Sequence, residues 1–141
     1  VALLAEIGTR LSTQGIASSS GVDGWLLALS HLPDSTAIQD KIVALTETPG
    51  GPPMGRVELD FPSFQVRVRG ESLRNGSSAY TEGRAKIEAI KLDLHGLAPG
   101  TYSSWYYAGV WAEQEPFFLE LDSHERPHWV CNFRALWSRT S

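Results

Sequence analysis

Glu115-Pro116-Phe117-Phe118-Leu119-Glu120-Leu121-Asp122-Ser123-His124-Glu125-Arg126-Pro127-His128-Trp129-Val130-Cys131-Asn132-Phe133-Arg134 admits two incompatible folds. By its letters, His124-Glu125-Arg126-Pro127-His128 matches H-E-x-x-H. In that motif a helix places two histidines on one zinc-binding face and the glutamate activates a water. The chemistry needs a continuous helix, since only i, i+4 spacing on a helix brings both imidazoles to one metal. Pro127 opposes it. It lacks the N–H that a helix needs, and its ring crowds the carbonyl four residues back, at a cost of about 3 kcal/mol beyond the first turn. The metal shell is a second obstacle, because a catalytic zinc takes three protein ligands. After His128 the chain offers no His, Asp or Glu, leaving Cys131 as the one conventional ligand type there.

The competing fold is a β-hairpin with a polar loop and arms rich in aromatic and β-branched residues. In its second arm Trp129, Cys131, Phe133, Ala135 and Trp137 share one face of a strand, and His128, Asn132 and Arg134 the other. A helical stripe through Trp129, Phe133, Leu136 and Trp137 also fits the spacing. The proline boundary and the Trp, Val and Phe content favour the strand.

The rest of the chain supplies a sheet and helices around this hairpin. Of 141 residues, 42% are hydrophobic and 20% charged, as in a single globular domain with a real core. No apolar run reaches the roughly 18 residues that span a bilayer, and the N-terminus lacks the basic-then-apolar order of a secretory signal. A protein made in the cytoplasm is expected, with Val1 marking either initiator removal or a missing N-terminal segment. The lone Cys131 can form no internal disulfide and is expected in the core, not as a nucleophile, because His128 falls on the opposite strand face. A formal net charge of −4 opposes a grip on nucleic-acid phosphates.

Leu4, Ile7 and Leu11 trace one face of an opening helix that Gly15 can stop. Residues 15–24 are rich in small residues and predict a loop. Trp25 to Leu29 and Ile42 to Leu45 predict buried strands. Thr48 to Gly55, with six of its eight residues Pro or Gly, predicts a projecting loop. Phe61 to Gly70 is the cleanest strand, with Phe64, Val66 and Val68 alternating against Gln65, Arg67 and Arg69 to give a core face and a basic face. After a turn at Asn75-Gly76-Ser77, the positions Tyr80, Gly83, Ile87, Ile90 and Leu94 form a helical stripe, capped by Ser77 or Ser78 and ended at Gly96. Tyr102 to Ala112 and Phe117 to Leu121 predict further strands. The fold class is therefore α+β: a mostly antiparallel or mixed sheet packed with two main helices in a single domain, residues 1–141.

No glycine-rich phosphate loop and no G-x-S-x-G is present, which removes two common enzyme types. Glu58 with Asp60, and Glu113 with Glu115, alternate as carboxylate pairs, more characteristic of a solvated strand edge than of acid–base catalysis without partner motifs. Arg67, Arg69, Arg74 and Arg84 suggest a basic patch, either solvated or paired to another subunit. His95, just before Gly96, suits a helix C-terminus. Five tryptophans, with Trp105, Tyr106 and Tyr107 adjacent, exceed what a small core hides, so some aromatic surface is expected to meet a partner.

The helix end from Ala85 to Leu97, the Gln114 to Leu119 strand entry, the Asp122 to Pro127 turn and Val130 to Arg134, together with the Gly50-Gly51-Pro52-Pro53 stretch and the strand from Phe64 to Gly70, resemble the minor capsid or tail terminator proteins of tailed bacteriophages. The resemblance covers nearly the whole chain in order, and fits least over 15–24 and 75–83. It implies a structural virion protein without catalytic residues or cofactors, located at the neck and made in the host cytoplasm. It implies a homo-hexameric ring at the head-proximal end of the tail that stops tube polymerisation and joins head-completion proteins, with DNA passing through its lumen. A head-completion or connector subunit is the nearest alternative, and a zinc-dependent hydrolase using His124, Glu125 and His128 the alternative of another class. Contacts with neighbouring copies or the tail tube are expected at Pro49, Pro52, Pro53, Met54, Arg67, Arg69, Glu58 and Asp60.

Overall fold

The computed structural model describes residues 2–21, 24–30, 32, 39–54, 59–76, 78–97, 99–102 and 105–139. Along the chain run α1 (Ala2–Thr13), β1 (Leu26–Leu29), β2 (Ile42–Met54), β3 (Leu59–Arg69), a 3₁₀ turn (Leu73–Asn75), α2 (Ser78–Leu94), β4 (Gly100–Tyr102), β5 (Trp105–Ala112), β6 (Phe117–Leu121) and β7 (Pro127–Arg139). The strands form one mixed sheet in the order β1-β2-β3-β7-β5-β4, with β6 also paired to β7. Among the named strands β1 and β2 pair in parallel, and the other pairings are antiparallel. This is the α+β architecture expected from the sequence.

β7 is the spine of the sheet. Its Trp129, Cys131, Phe133, Ala135 and Trp137 point to one side, where they meet Val43 and Leu45 of β2, Phe64, Val66 and Val68 of β3, and both helices in one continuous core. Phe64 and Phe133 sit opposite each other in the ladder and stack with ring centroids 5.2 Å apart. The strand alternative for this arm is the one realised, because Pro127 opens the strand and the period-two side chains fill the core.

α1 buries Leu3, Leu4, Ile7 and Leu11, and α2 buries Ala79, Gly83, Ile87, Ile90 and Leu94. Each of the larger apolar groups gains about 2 kcal/mol on burial, which outweighs the roughly 1 kcal/mol that Gly83 costs the helix. Glycine suits the packing there: a Cβ at Gly83 would stand 3.0 Å from Cδ1 of Trp129, so the indole would have to shift. Tyr80, expected in the buried stripe, lies at its margin and is 41% exposed, with its ring edge-on to Trp129 at 4.9 Å. The two helices are tied by Arg10, which donates to both carboxylate oxygens of Asp93 at 3.2 and 2.9 Å. Gly15 and Gly96 take positive φ of 71° and 72° just past the helix ends, as a left-handed stop needs. Ser77, one of the two cap candidates, lies outside the described residues.

The expected loop at Thr48 to Gly55 is corrected by the structure over residues 48–54, and Gly55 lies outside the described residues. β2 continues to Met54 and pairs with β3 through Thr48 opposite Ser63, Gly51 opposite Phe61 and Met54 opposite Leu59, with register shifts between them. The shifts are how Pro and Gly are accommodated: prolines cannot donate to a ladder, so the ribbon skips pairings around them. At Gly50 the strands approach so closely that a Cβ would strike the carbonyl oxygen of Phe61.

Candidate assembly surfaces

The turn between β6 and β7 is organised by Asp122. Its Oδ1 accepts the backbone N–H groups of His124 at 2.9 Å and Arg126 at 3.0 Å, and its Oδ2 accepts Arg126 Nε at 2.8 Å. His128 Nε2 lies 2.9 Å from the same Oδ2, while Arg67 Nε donates to His128 Nδ1 at 3.0 Å. Arg67 can donate only to an unprotonated Nδ1, so the imidazole is neutral with its proton on Nε2, directed at Asp122. Burial drives the pKa of His128 down, the bond to Asp122 opposes that, and Arg67 and Arg69 add to the depression. For Asp122, burial would raise the pKa, but the hydrogen bonds from His128, Arg126 and His124 outweigh it and hold the carboxyl well below its usual range.

His124-Glu125-Arg126-Pro127-His128 therefore spans a turn and the first residues of a strand, with Glu125 at a positive φ of 60°. Glu125 pairs with Arg74 at 3.2 Å, and no group of three or more His, Cys, Asp or Glu suited to a metal occurs among the described residues. Cys131 is buried in the core, where burial pushes its thiol up to about 11, and it donates to the Gln114 carbonyl at 3.4 Å. Such a thiol is a packing group and a poor nucleophile.

The four arginines expected to form one basic patch are each engaged within the chain. Arg67 pairs with Glu120 at 3.1 Å, Arg74 with Glu125, and Arg84 with Glu88 at 3.0 Å. Arg69 corrects the expectation of a solvated basic face most sharply. It is 1% exposed and donates to the backbone carbonyls of Asp40 at 2.9 Å and Gln39 at 3.0 Å. A guanidinium so placed is held inside the fold and has no surface to give a partner. The carboxylate pair Glu113 and Glu115 is also committed, to Arg134 at 3.5 Å and Lys91 at 2.6 Å. His95 accepts the Ala112 N–H at Nδ1, at 2.9 Å, and so fastens the end of α2 to β5.

Of the other residues expected at contacts, Pro49 is exposed on β2, Pro52, Pro53 and Met54 lie on its distal end, and Glu58 falls outside the described residues. Asp60 sits opposite Trp137 and, with Glu47, Gly50 and Ser63, lines a shallow recess beyond the reach of the helices. Among the described residues neither Glu47 nor Asp60 has an ion-pair partner.

Sequence reasoning did not single out β6. All five of its residues are exposed, with Phe117 at 40%, Phe118 at 39%, Leu119 at 43% and Leu121 at 46%. Phe118 leans on Tyr80 and Trp129, with centroids 5.4 and 5.5 Å away, so the patch rests on a rigid aromatic base. The signal was present: three consecutive apolar residues in a strand cannot all face one core.

A family model described as "Bacteriophage tail terminator protein" matches residues 18–138. The chain belongs to that family. Family membership makes it a structural protein of the phage particle, in agreement with the resemblance carried by its sequence. A solved chain described as "Virion of native gene transfer agent (GTA) particle" aligns with 96% of this tail-terminator family member and 94% of its own length, at a TM-score of 0.65 and 14% identity. A second solved chain aligns with 97% of this one and 93% of its own length, at a TM-score of 0.55 and 13% identity. At these identities the likeness is one of fold. No curated protein sequence matches the chain. No helix among the described residues is long and apolar enough to cross a membrane.

Proposed function

We propose that this chain, acting as one domain over residues 1–141, is the subunit of a closed homo-hexameric ring at the head-proximal end of the phage tail. The ring caps the growing tail tube and presents its other side to head-completion proteins, while DNA passes through the lumen without specific contacts. The family match over residues 18–138 carries this reading, and the likeness in fold to a chain of a gene transfer agent virion supports it. The function is assembly, with no catalytic step: Glu125 is engaged by Arg74, and His128 is held between Asp122 and Arg67. The acidic formal charge of −4 per copy suits a lumen through which DNA slides. The β2–β3 ribbon, with Pro49, Pro52, Pro53, Met54 and Asp60, is the proposed seat of contacts with the tail tube. Its prolines reduce the entropy lost on docking.

The test is a phage or transfer-agent lysate lacking this gene. Tail tubes of uncontrolled length and heads without tails are expected, with both defects repaired by the gene supplied in trans. Tubes of normal length joined to heads would refute the reading. Normal-length tubes that fail to join would favour the head-completion alternative.

A further inference from the structure

We infer that β6, with the aromatic base beneath it, is the face by which one copy of this chain contacts the next copy in the ring; the inference rests on the ring reading above. β6 pairs on one side with β7, and among the described residues it has no strand on its other side. Its outer edge therefore offers backbone N–H and C=O groups together with Phe117, Phe118, Leu119 and Leu121. A strand so exposed and so apolar invites association unless a partner covers it.

Charge decides the occupant. Five carboxylates lie on or beside the strand: Glu113, Glu115, Glu120, Asp122 and Glu125. Each is ion-paired, to Arg134, Lys91, Arg67, Arg126 and Arg74 in turn, with Arg126 also reaching Asp40. The patch is thus an apolar centre with an ion-paired rim, the anatomy of a protein contact. Identical chains of formal charge −4 repel wherever their charge is uncompensated, so a neutral apolar face is where two copies approach at least cost. The recess with Glu47 and Asp60 has the opposite character. Its carboxylates have no cation among the described residues, which suits a non-identical basic partner and disfavours a second copy. A ring contact is head-to-tail, so β6 meets a different surface of its neighbour, not another β6.

Assembled particles carrying a benzophenone amino acid in place of Leu119 test this directly. Irradiation is expected to yield a dimer of the 15.5 kDa chain, with the cross-link mapping from position 119 to residues of the second copy outside 117–121. A cross-link to any other particle protein, a link to β6 of the second copy, or no cross-link from particles that contain the chain would overturn the inference. A second variant, Leu119→Asp with Leu121→Asp, is expected to keep its circular dichroism yet be lost from particles. Its incorporation at the normal copy number would also overturn the inference. Microscopy of the same particles separates the two levels: a six-fold ring with position 119 joined to another protein refutes this face alone, whereas absence of a ring refutes the underlying function.

Discussion

At the scale of the residue, Asp122 is the point on which the β6–β7 turn depends, since one carboxylate receives two backbone N–H groups, the Arg126 guanidinium and the His128 ring. The pKa of His128 is depressed from its ordinary 6.5, so the unfolded chain binds the proton more readily than the folded one. Stability from this group is full above pH 6.5 and declines as pH falls below it toward the folded pKa. Asp122 is depressed from its ordinary 3.8, so a second loss follows as pH drops below that value. Urea midpoints measured against pH are expected to show both phases, and His128→Gln to abolish the upper one. A flat profile between pH 7 and 5 would show that His128 titrates normally. Asp122→Asn weakens the pairing of Arg126, whose side chain is only 6% exposed, and is expected to cost about 3 kcal/mol in chemical denaturation. Cys131 is expected to resist alkylation in the native protein and to react at once in denaturant. Here the sequence was legible in part. Pro127 excluded the helix and placed Cys131 on the core face, but nothing in the spacing showed that Arg69 would be buried, because its partners Gln39 and Asp40 are remote in sequence; Arg126 has Asp122 four residues away, but its second partner, Asp40, is remote as well.

At the scale of the element, the strands whose side chains alternate were readable and the ribbon that breaks alternation was not. Phe64, Val66 and Val68 announced β3, and the stripe from Gly83 to Leu94 announced α2, because one face of each is buried. The Pro–Gly stretch read as a loop, since local propensity argues against a strand there. Pairing with β3 overrides that propensity through bulges that skip the positions a ladder would need. Gly50 is the critical position. Gly50→Ala is expected to disrupt the distal ribbon, seen as faster amide exchange over residues 46–54 and 59–63, while exchange in α2 is unchanged. Equal protection in variant and parent would show that the close approach of Gly50 to Phe61 is not needed. Gly83→Val tests the other glycine. With Trp129 pinned by Tyr80 and Phe118, a branched side chain is expected to cost about 3 kcal/mol of stability.

At the scale of the whole molecule, two layers leave the chain with surfaces of different character: an apolar strand edge bordered by ion pairs at β6, and, at the β2–β3 ribbon, a recess whose carboxylates Glu47 and Asp60 have no cation among the described residues. A subunit that must meet its own copies and also unlike proteins needs two such surfaces. The family resemblance was legible before the structure because short motifs kept their order along the chain. The surfaces were not, because exposure at β6 depends on which strands fail to cover it. The most direct measurement is cryogenic electron microscopy of the neck of intact particles, reading the symmetry and copy number of this chain. A closed ring of six copies between tube and head is the predicted result; a single copy, a two-fold pair or a position away from that junction would contradict it.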